Sequence, residues 1–170
     1  VLESHTAATA AETIQAADLK RLKALVEQAQ NDLDQKDSSG LRFNELEFHR
    51  IIGDACGNPL LSFFVDLVHN LLADAKEILK PQFDFSLRVL KAHKKIYQAL
   101  KAGDAVQARR QMSRHLREVE RDLLEIQEQK NIRGLVLSFD RGFGLKKEVM
   151  PDKARRDKAR KKARVIHLDN

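Results

Sequence analysis

The chain has 170 residues, enough for one domain with a substantial hydrophobic core, and its single cysteine, Cys56, excludes a disulfide within the chain. No apolar run is long enough to cross a membrane and no signal peptide is visible, so we expect a cytoplasmic protein that does not enter a membrane. The net charge of +6 arises after residue 129, where 13 Lys and Arg face 5 Asp and Glu, while the preceding residues hold 18 against 20. Overall charge therefore favours nucleic-acid contact only for the C-terminal part.

Few aromatics, no Trp, and scarce Gly and Pro favour helices over sheets. Residues 2–16 are rich in Ala and Thr and predict a first helix. Asp18 resembles the N-cap of a second helix, whose apolar face recurs at helical spacing as far as Leu33. The polar cluster at 37–40 predicts a turn, and a third helix is expected over 41–56.

The tripeptide Gly57-Asn58-Pro59 is a strong helix boundary. The glycine suits the left-handed residue that ends one helix, and the asparagine and proline suit the N-cap and first turn of the next. That next helix, as far as Leu79, has a broad apolar face and is expected to be central in a bundle. A helix over 85–102 and a last long helix follow, separated by Gly103-Asp104. The pattern predicts an all-α fold, an antiparallel bundle of six to seven helices.

We divide the chain into a helical domain over residues 1–129 and a basic C-terminal extension over 130–170. Within the extension, residues 135–139 suit a short strand or a docking segment. The basic run at 153–164 has no interleaved aromatics, so a solvated tail explains it better than contact with DNA phosphates.

Four side chains interrupt the apolar helical stripes: Glu45, His49, His93 and His115. Glu45 precedes His49 by four residues, which places both on one helix face. His93 and His115 lie about ten residues before and eleven after the turn at 103–104, so both sit on the order of 15 Å from it and at the same level of a hairpin. Buried imidazole and carboxylate groups need partners and commonly bind metals. Spacing alone leaves open whether the two pairs meet, and from the pattern by itself satisfied core histidines or a buried ion pair explain them better than a shared metal site.

The same residues carry a resemblance to a known family. The segment 45–61, Glu-Leu-Glu-Phe-His-Arg-Ile-Ile-Gly-Asp-Ala-Cys-Gly-Asn-Pro-Leu-Leu, resembles the D-x-x-F-H … G-N-P-L signature of the FCD domain, the effector-binding part of the FadR subfamily of GntR transcription regulators. Residues 93–104 resemble its E-H-x-x-I-x-x-A-I-x-x-G-D stretch, and Arg114-His115-Leu116 resembles the M-x-x-H-L that follows. Leu2-Glu3 and the Ala-rich run after it resemble the opening helix.

The resemblance covers about residues 1–129 and implies a metal site. In the metal-binding branch of this family, one Asp and three His hold a divalent cation inside the bundle, so His49, His93 and His115 would take the histidine positions here. Glu45 takes the usual Asp position, and its longer side chain affects which metal is preferred. Zn is the expected ion, with Ni, Mn or Fe as alternatives that suit the same ligands.

Two further residues are candidates for holding an effector. Arg42 shares the face of Glu45 and could fork onto a carboxylate, although such a residue is more often solvated or ion-paired. Tyr97 lies one turn beyond His93 and would donate its hydroxyl to a ligand or merely line the core.

The resemblance implies a sensory domain of a bacterial transcription regulator that is not an enzyme. It would form a homodimer, bind a small carboxylate effector, and act on DNA through a winged helix-turn-helix expected upstream, which these residues lack. One alternative is a metal-dependent enzyme acting on a small carboxylate, for which Glu118 is the nearest unassigned acid. The other is a helical dimerisation module without a ligand.

Overall fold

The computed structural model describes residues 2–79 and 83–130, apart from the side chains of residues 38, 39 and 42. Six helices follow one another with short connections: α1 Leu2–Thr13, α2 Ala16–Gln35, α3 Ser38–Ala55, α4 Pro59–Leu79, α5 Phe83–Lys101 and α6 Ala105–Gln129. The predicted all-α bundle is confirmed. The basic extension and the segment at 135–139 lie outside the described residues, so the division of the chain at residue 129 stays a prediction.

Helices distant in sequence pack together. α1 lies against α6 and also contacts α3, while α2 packs on α3 and α5. The hairpins α3–α4 and α5–α6 complete the bundle. The largest fully buried apolar side chains come from α2 to α6: Leu22, Leu33, Phe48, Ile51, Ile52, Leu79, Ile96, Leu100 and Met112. A ring of helices around this core gives polar side chains on α1, α3, α5 and α6 a common interior to point into.

The predicted boundaries at residues 57–59 and 103–104 are confirmed. Gly57 and Gly103 have φ angles of 73° and 66°, the left-handed conformation that glycine adopts without strain. The Asn58 side chain accepts a hydrogen bond from the Leu60 N–H at 3.0 Å. Asp104 likewise accepts from the Gln107 N–H at 2.9 Å. Each cap satisfies a backbone donor that the first turn of a helix leaves without a partner.

Two predicted helix starts were wrong. α2 begins at Ala16 after Gln15, and Asp18 lies inside its first turn, 3.3 Å from the Arg21 guanidinium. α3 begins at Ser38, because Asp37 accepts a hydrogen bond from the Gly40 N–H at 3.1 Å and acts as its cap. The residues expected to form a turn are thus the first turn of α3. Gly40 lets α3 approach α2 closely there, because an added Cβ would lie 2.6 Å from Asp32 Oδ2 of α2 and would displace that side chain.

The expectation that α4 is central was also wrong. Its described buried residues are Val65, His69, Lys76 and Leu79, two of them polar. Five large apolar side chains of α4 instead face outward with 42% to 62% of their surface exposed: Leu60, Phe63, Phe64, Leu71 and Ile78. We call these five residues the α4 outer stripe. No helix in the described ranges combines the length and the apolar character needed to cross a bilayer.

Candidate metal centre

Three histidines from three helices meet inside the bundle. His49 of α3, His93 of α5 and His115 of α6 are 1%, 5% and 2% exposed. Their ring centroids lie 5.1 Å apart for His49 and His93, 5.3 Å for His49 and His115, and 4.9 Å for His93 and His115. The hairpin argument for His93 and His115 is therefore confirmed. The structure also brings in His49, which only the family resemblance had joined to them.

The ring nitrogens of this three-histidine cluster are spaced as ligands of one ion would be. Each residue offers a nitrogen within 4.8 Å of the other two. His49 Nε2 and His115 Nε2 are 3.3 Å apart. Two nitrogens bound to one tetrahedral zinc ion at roughly 2.05 Å would be separated by about 3.3 Å. His93 Nε2 is buried and has no hydrogen-bond partner among the described residues. A buried ring nitrogen without a partner is costly, and a cation would remove that cost.

Burial keeps these imidazoles in the form that binds metal. Removal from water lowers the pKa of His115 to about 3, helped by the neighbouring His49. Burial, reinforced by His115 and His49, holds the pKa of His93 well below its ordinary value. Burial and His69 also lower the pKa of His49, although Glu3 opposes the change. The cluster is therefore neutral at pH 7, and neutral imidazole is the state that can offer a lone pair to a cation.

Packing also fixes the orientation of the cluster. The Phe48 ring, 1% exposed, stacks on His93 with the ring centroids 4.0 Å apart and the planes 6° from parallel. Phe48 directly precedes His49, so one turn of α3 supplies a candidate metal ligand, His49, and the ring that packs against a second candidate, His93. Ligands locked by core packing in this way lose little conformational freedom on binding an ion.

Glu45 does not share the position of the three histidines. Its carboxylate forms an ion pair with Lys76 of α4, and it is not among the groups whose donor atoms lie within 4.8 Å of one another. Burial works to raise the pKa of Glu45, but the Lys76 ammonium outweighs this and lowers it. The carboxylate is therefore charged and close enough to His49 and His115 to feel their electrostatic field. Its role as a fourth ligand stays a prediction.

A second carboxylate contacts the cluster instead. Glu3 of α1 is 6% exposed, and its Oε2 lies 2.6 Å from His49 Nδ1 and 2.7 Å from His69 Nε2. The bond with His69 has hydrogen-bond geometry, whereas the His49 N–H does not point straight at the oxygen. Burial works to raise the pKa of Glu3, but the two histidines outweigh it and hold the pKa well below its usual range. Glu3, His49 and His69 form a second group with metal-ligand spacing.

Sequence reasoning missed both Glu3 and His69. Glu3 appeared only as part of a resemblance to an opening helix, and His69 was expected to have a surface or packing role. The available signal was the helical spacing of Glu3 with Ala7 and Ala10, both fully buried. His69 is four residues beyond the buried Val65 on α4. Neither spacing says which helix the buried face meets, so the contact required the tertiary structure.

A cavity of about 320 Å³ adjoins the three-histidine cluster. Its polar lining includes Glu45, Lys76 and His93, and its apolar walls include Leu25 and Phe85. The Lys76 ammonium, on a residue only 7% exposed, also lies 5.3 Å from the centre of the Phe85 ring. The cavity thus combines the Glu45–Lys76 ion pair with a mostly apolar surface, which suits a small organic ligand.

The two predicted effector residues are placed differently. Tyr97 is 9% exposed and belongs to the hydrophobic core, away from the lining of this cavity, which agrees with the simpler of its two interpretations. The Arg42 side chain lies outside the described part of the structure, so its role stays a prediction. Lys76, which sequence reasoning did not single out, is the cation that the described residues place at the cavity.

A histidine cluster beside a cavity within a six-helix bundle is typical of helical ligand-binding domains. The chain belongs to the FCD domain family, whose model matches residues 1–118. It is 32% identical over 126 residues to the HTH-type transcriptional regulator LutR of Bacillus subtilis (strain 168), covering 71% of this chain and 56% of that protein.

Two solved structures share the fold. Streptococcus agalactiae GntR matches with a TM-score of 0.61 and 22% identity, covering 70% of this chain and 53% of that one. E. coli McbR/YncC matches with a TM-score of 0.67 and 19% identity, covering 73% and 59%. The chain therefore spans just over half the length of these relatives. The expected FCD-like fold is confirmed, and the resemblance to GntR-type regulators is supported.

Proposed function

We propose that this domain senses a small carboxylate in the cytoplasm with the help of a divalent cation, and in the whole protein adjusts DNA binding by an upstream domain. The observation that carries the proposal is the meeting of His49, His93 and His115 as three buried, neutral imidazoles. Membership of the FCD family and similarity to a transcriptional regulator support a sensor over an enzyme.

The cation in this proposal is zinc, held by the three histidines with Glu45 as the fourth protein ligand. Ni, Mn or Fe would suit the same donors. Glu45 is paired with Lys76 in the structure, so coordination of the cation by Glu45 requires this carboxylate to leave the Lys76 ammonium. When bound, the cation supplies positive charge and an open position at the edge of the cavity.

Metal analysis of the purified chain tests this proposal directly. We expect about one zinc equivalent per chain after purification without chelators, and saturable zinc uptake by chelator-treated protein. Saturable carboxylate binding without chemical change supports a sensor. Metal-dependent conversion of the carboxylate would show an enzyme and overturn the proposal.

Lys76 is expected to hold the effector carboxylate. Its ammonium is buried at the cavity, and a hydrogen bond between charged groups contributes about 1.5–3 kcal/mol. A Lys76→Gln variant removes the charge but keeps an amide that can donate to Glu45. We expect it to weaken the binding of acetate, lactate or succinate by about 10- to 100-fold in isothermal titration calorimetry, with metal content unchanged.

Lys94→Met is the matched control for that measurement. Lys94 is exposed on α5, next to His93 in sequence, and its ammonium bonds to Gln30 rather than lining the cavity. The control should bind each carboxylate as the unaltered protein does. Equal binding by Lys76→Gln and unaltered protein would show that the anion is held elsewhere.

We also propose that the domain forms a homodimer through the α4 outer stripe. Leu60, Phe64, Leu71 and Ile78 lie within one narrow face of α4, and each is at least 42% exposed. A contiguous exposed apolar face of this kind is typical of a protein interface. A second copy of the chain is the simplest occupant, because a two-fold arrangement buries the same stripe on both subunits.

A charge placed on the stripe should prevent this association. Phe63→Glu is expected to shift the full chain from dimer to monomer in light-scattering chromatography, because a buried unpaired carboxylate opposes the interface. Val106→Glu alters an equally exposed apolar residue, 74% exposed on α6, and should leave the dimer intact. A monomeric parent chain would contradict the proposal. If removal of residues 131–170 then produced a dimer, the extension would be the true occupant of the stripe.

A further inference from the structure

Glu3 occupies a position that the metal-ligand set does not explain. It comes from α1, whereas the histidines it contacts come from α3 and α4. A single oxygen, Oε2, lies within 2.7 Å of both His49 Nδ1 and His69 Nε2. The two imidazole rings stack with centroids 4.0 Å apart. A carboxylate this buried has lost most of its contact with solvent, so its contacts with the two rings compensate its charge in the interior.

The two nitrogens of His49 face opposite neighbours. Nδ1 faces the Glu3 carboxylate at 2.6 Å, and Nε2 faces His115 Nε2 at 3.3 Å. A neutral imidazole carries its proton on one nitrogen only. A lone pair on Nδ1 would be held against the negatively charged oxygen, whereas a proton on Nδ1 is attracted to it. The contact with Glu3 therefore favours the proton on Nδ1 and leaves the lone pair of Nε2 directed into the three-histidine cluster.

We propose that Glu3 is a positioning residue for the metal site, one that fixes the tautomer and the ring orientation of His49 without binding the ion itself. This inference rests on the proposed function insofar as a cation occupies the cluster. Carboxylates that accept from the far nitrogen of a metal-binding histidine raise its basicity, and their loss typically lowers metal affinity by about 10- to 100-fold.

The second group with metal-ligand spacing offers a competing assignment. Glu3, His49 and His69 could themselves hold the ion, with His49 binding through Nδ1 rather than Nε2. Two features of the structure favour the positioning role. His93 Nε2 has no partner among the described residues, so the three-histidine cluster is the group left unsatisfied. His69 Nε2 bonds to Glu3 Oε2 at 2.7 Å and His49 Nδ1 lies 2.6 Å from the same oxygen, so both nitrogens of the second group already face a carboxylate.

Three variants of the full chain separate these assignments. Glu3→Met removes the acceptor at similar volume and should lower zinc affinity by about 10- to 100-fold. Glu3→Gln keeps an acceptor oxygen without the charge and should recover part of that loss. His69→Gln keeps a donor for Glu3 while removing an imidazole, and should bind zinc within about threefold of the unaltered protein. Zinc affinity is measured by competition with a chelator of known affinity.

A spectroscopic readout distinguishes positioning from a general loss of stability. Ring nitrogen chemical shifts of His49 in the chelator-treated protein should show a protonated Nδ1 and an unprotonated Nε2. In Glu3→Met we expect a mixture of the two tautomers. Asp122→Asn is the matched control, because Asp122 is another buried carboxylate, 6% exposed and paired with Arg88 rather than with a histidine. It should leave the His49 signals unchanged.

The outcomes are separable from those of the proposed function. A protein that takes up no metal defeats the proposed function, yet the tautomer of His49 still decides the role of Glu3. Unchanged zinc affinity in Glu3→Met, or a proton on Nε2 of His49 in the parent protein, would overturn the positioning role while leaving the sensor intact. A loss in His69→Gln as large as that in Glu3→Met would place the ion in the second group.

Discussion

Replacement of His115 with alanine is expected to lower zinc affinity by more than about 100-fold. The variant removes a nitrogen that lies 3.3 Å from His49 Nε2 and leaves the other two imidazoles without a third to complete the set. Loss of a direct ligand should exceed the roughly 10- to 100-fold that the loss of an outer partner costs. His93→Ala should behave alike. Chelator competition, with circular dichroism to verify the fold, measures the effect.

His5→Ala is the matched control for these variants. His5 is an exposed histidine of α1 whose ring contacts Arg109. Its replacement therefore removes an imidazole that lies outside the three-histidine cluster. The variant should bind zinc as the parent does. If His115→Ala retained parental affinity, the ion would lie elsewhere and the three-histidine assignment would be wrong.

A drop from pH 7 to pH 5 is expected to destabilise the chelator-treated protein by several kcal/mol. The folded protein holds the pKa of His115 at about 3, whereas the unfolded chain has the ordinary value of 6.5. Between these values the unfolded state binds a proton that the folded state does not bind, which lowers the free energy of unfolding by about 1.4 kcal/mol per pH unit. By pH 5 His115 alone would account for about 2 kcal/mol, and His93, whose pKa is also well below its ordinary value, adds to it.

The sign of this effect follows from the direction of the shifts. A histidine whose pKa is lowered on folding is neutral in both states above pH 6.5 and does not affect the free energy of unfolding there. As the pH falls below 6.5, only the unfolded state gains the proton, so the folded state becomes less stable. Glu3 and Glu45, whose pKa values are lowered from 4.5, contribute no change between pH 7 and 5 and add to the loss only below that window. Urea denaturation at both pH values tests the prediction. His115→Gln should show a smaller pH dependence, and a parent with equal stability at pH 7 and 5 would contradict it.

Local sequence was sufficient for the features that depend on one helix or one turn. Asn58 and Asp104 cap the helices that follow them, as their positions predicted, because a cap is decided by residues three positions apart. The sequence also predicted that His93 and His115 lie at the same height of the α5–α6 hairpin, because both are about equally far from the turn that joins these helices. These contacts connect neighbours in the chain, so spacing carries nearly all the information.

Features that depend on how distant helices pack were not predictable in this way. Glu3 meets His49 only because α1 returns against α3, a contact between residues 46 positions apart. The broad apolar face of α4 led to the wrong expectation that this helix is central, because hydrophobicity alone does not specify whether a face packs within the chain. In the structure, α4 buries His69 and Lys76 together with Val65 and Leu79, and the five residues of the α4 outer stripe face outward.

The charges around the Glu45–Lys76 pair affect how the binding of a metal and the binding of an effector influence each other. Among the described buried groups around the neutral histidines, the carboxylates of Glu3 and Glu45 exceed the ammonium of Lys76 by one charge. A dication alone would leave the enclosed site with a net positive charge, and a monocarboxylate alone would deepen its negative one. Only the two together make it electroneutral, and uncompensated charge is costly in such an interior. Metal and effector would therefore each raise the affinity for the other, and by linkage to the same extent. Under the proposed function, such a domain would respond to the coincidence of an available metal and a carboxylate rather than to either alone.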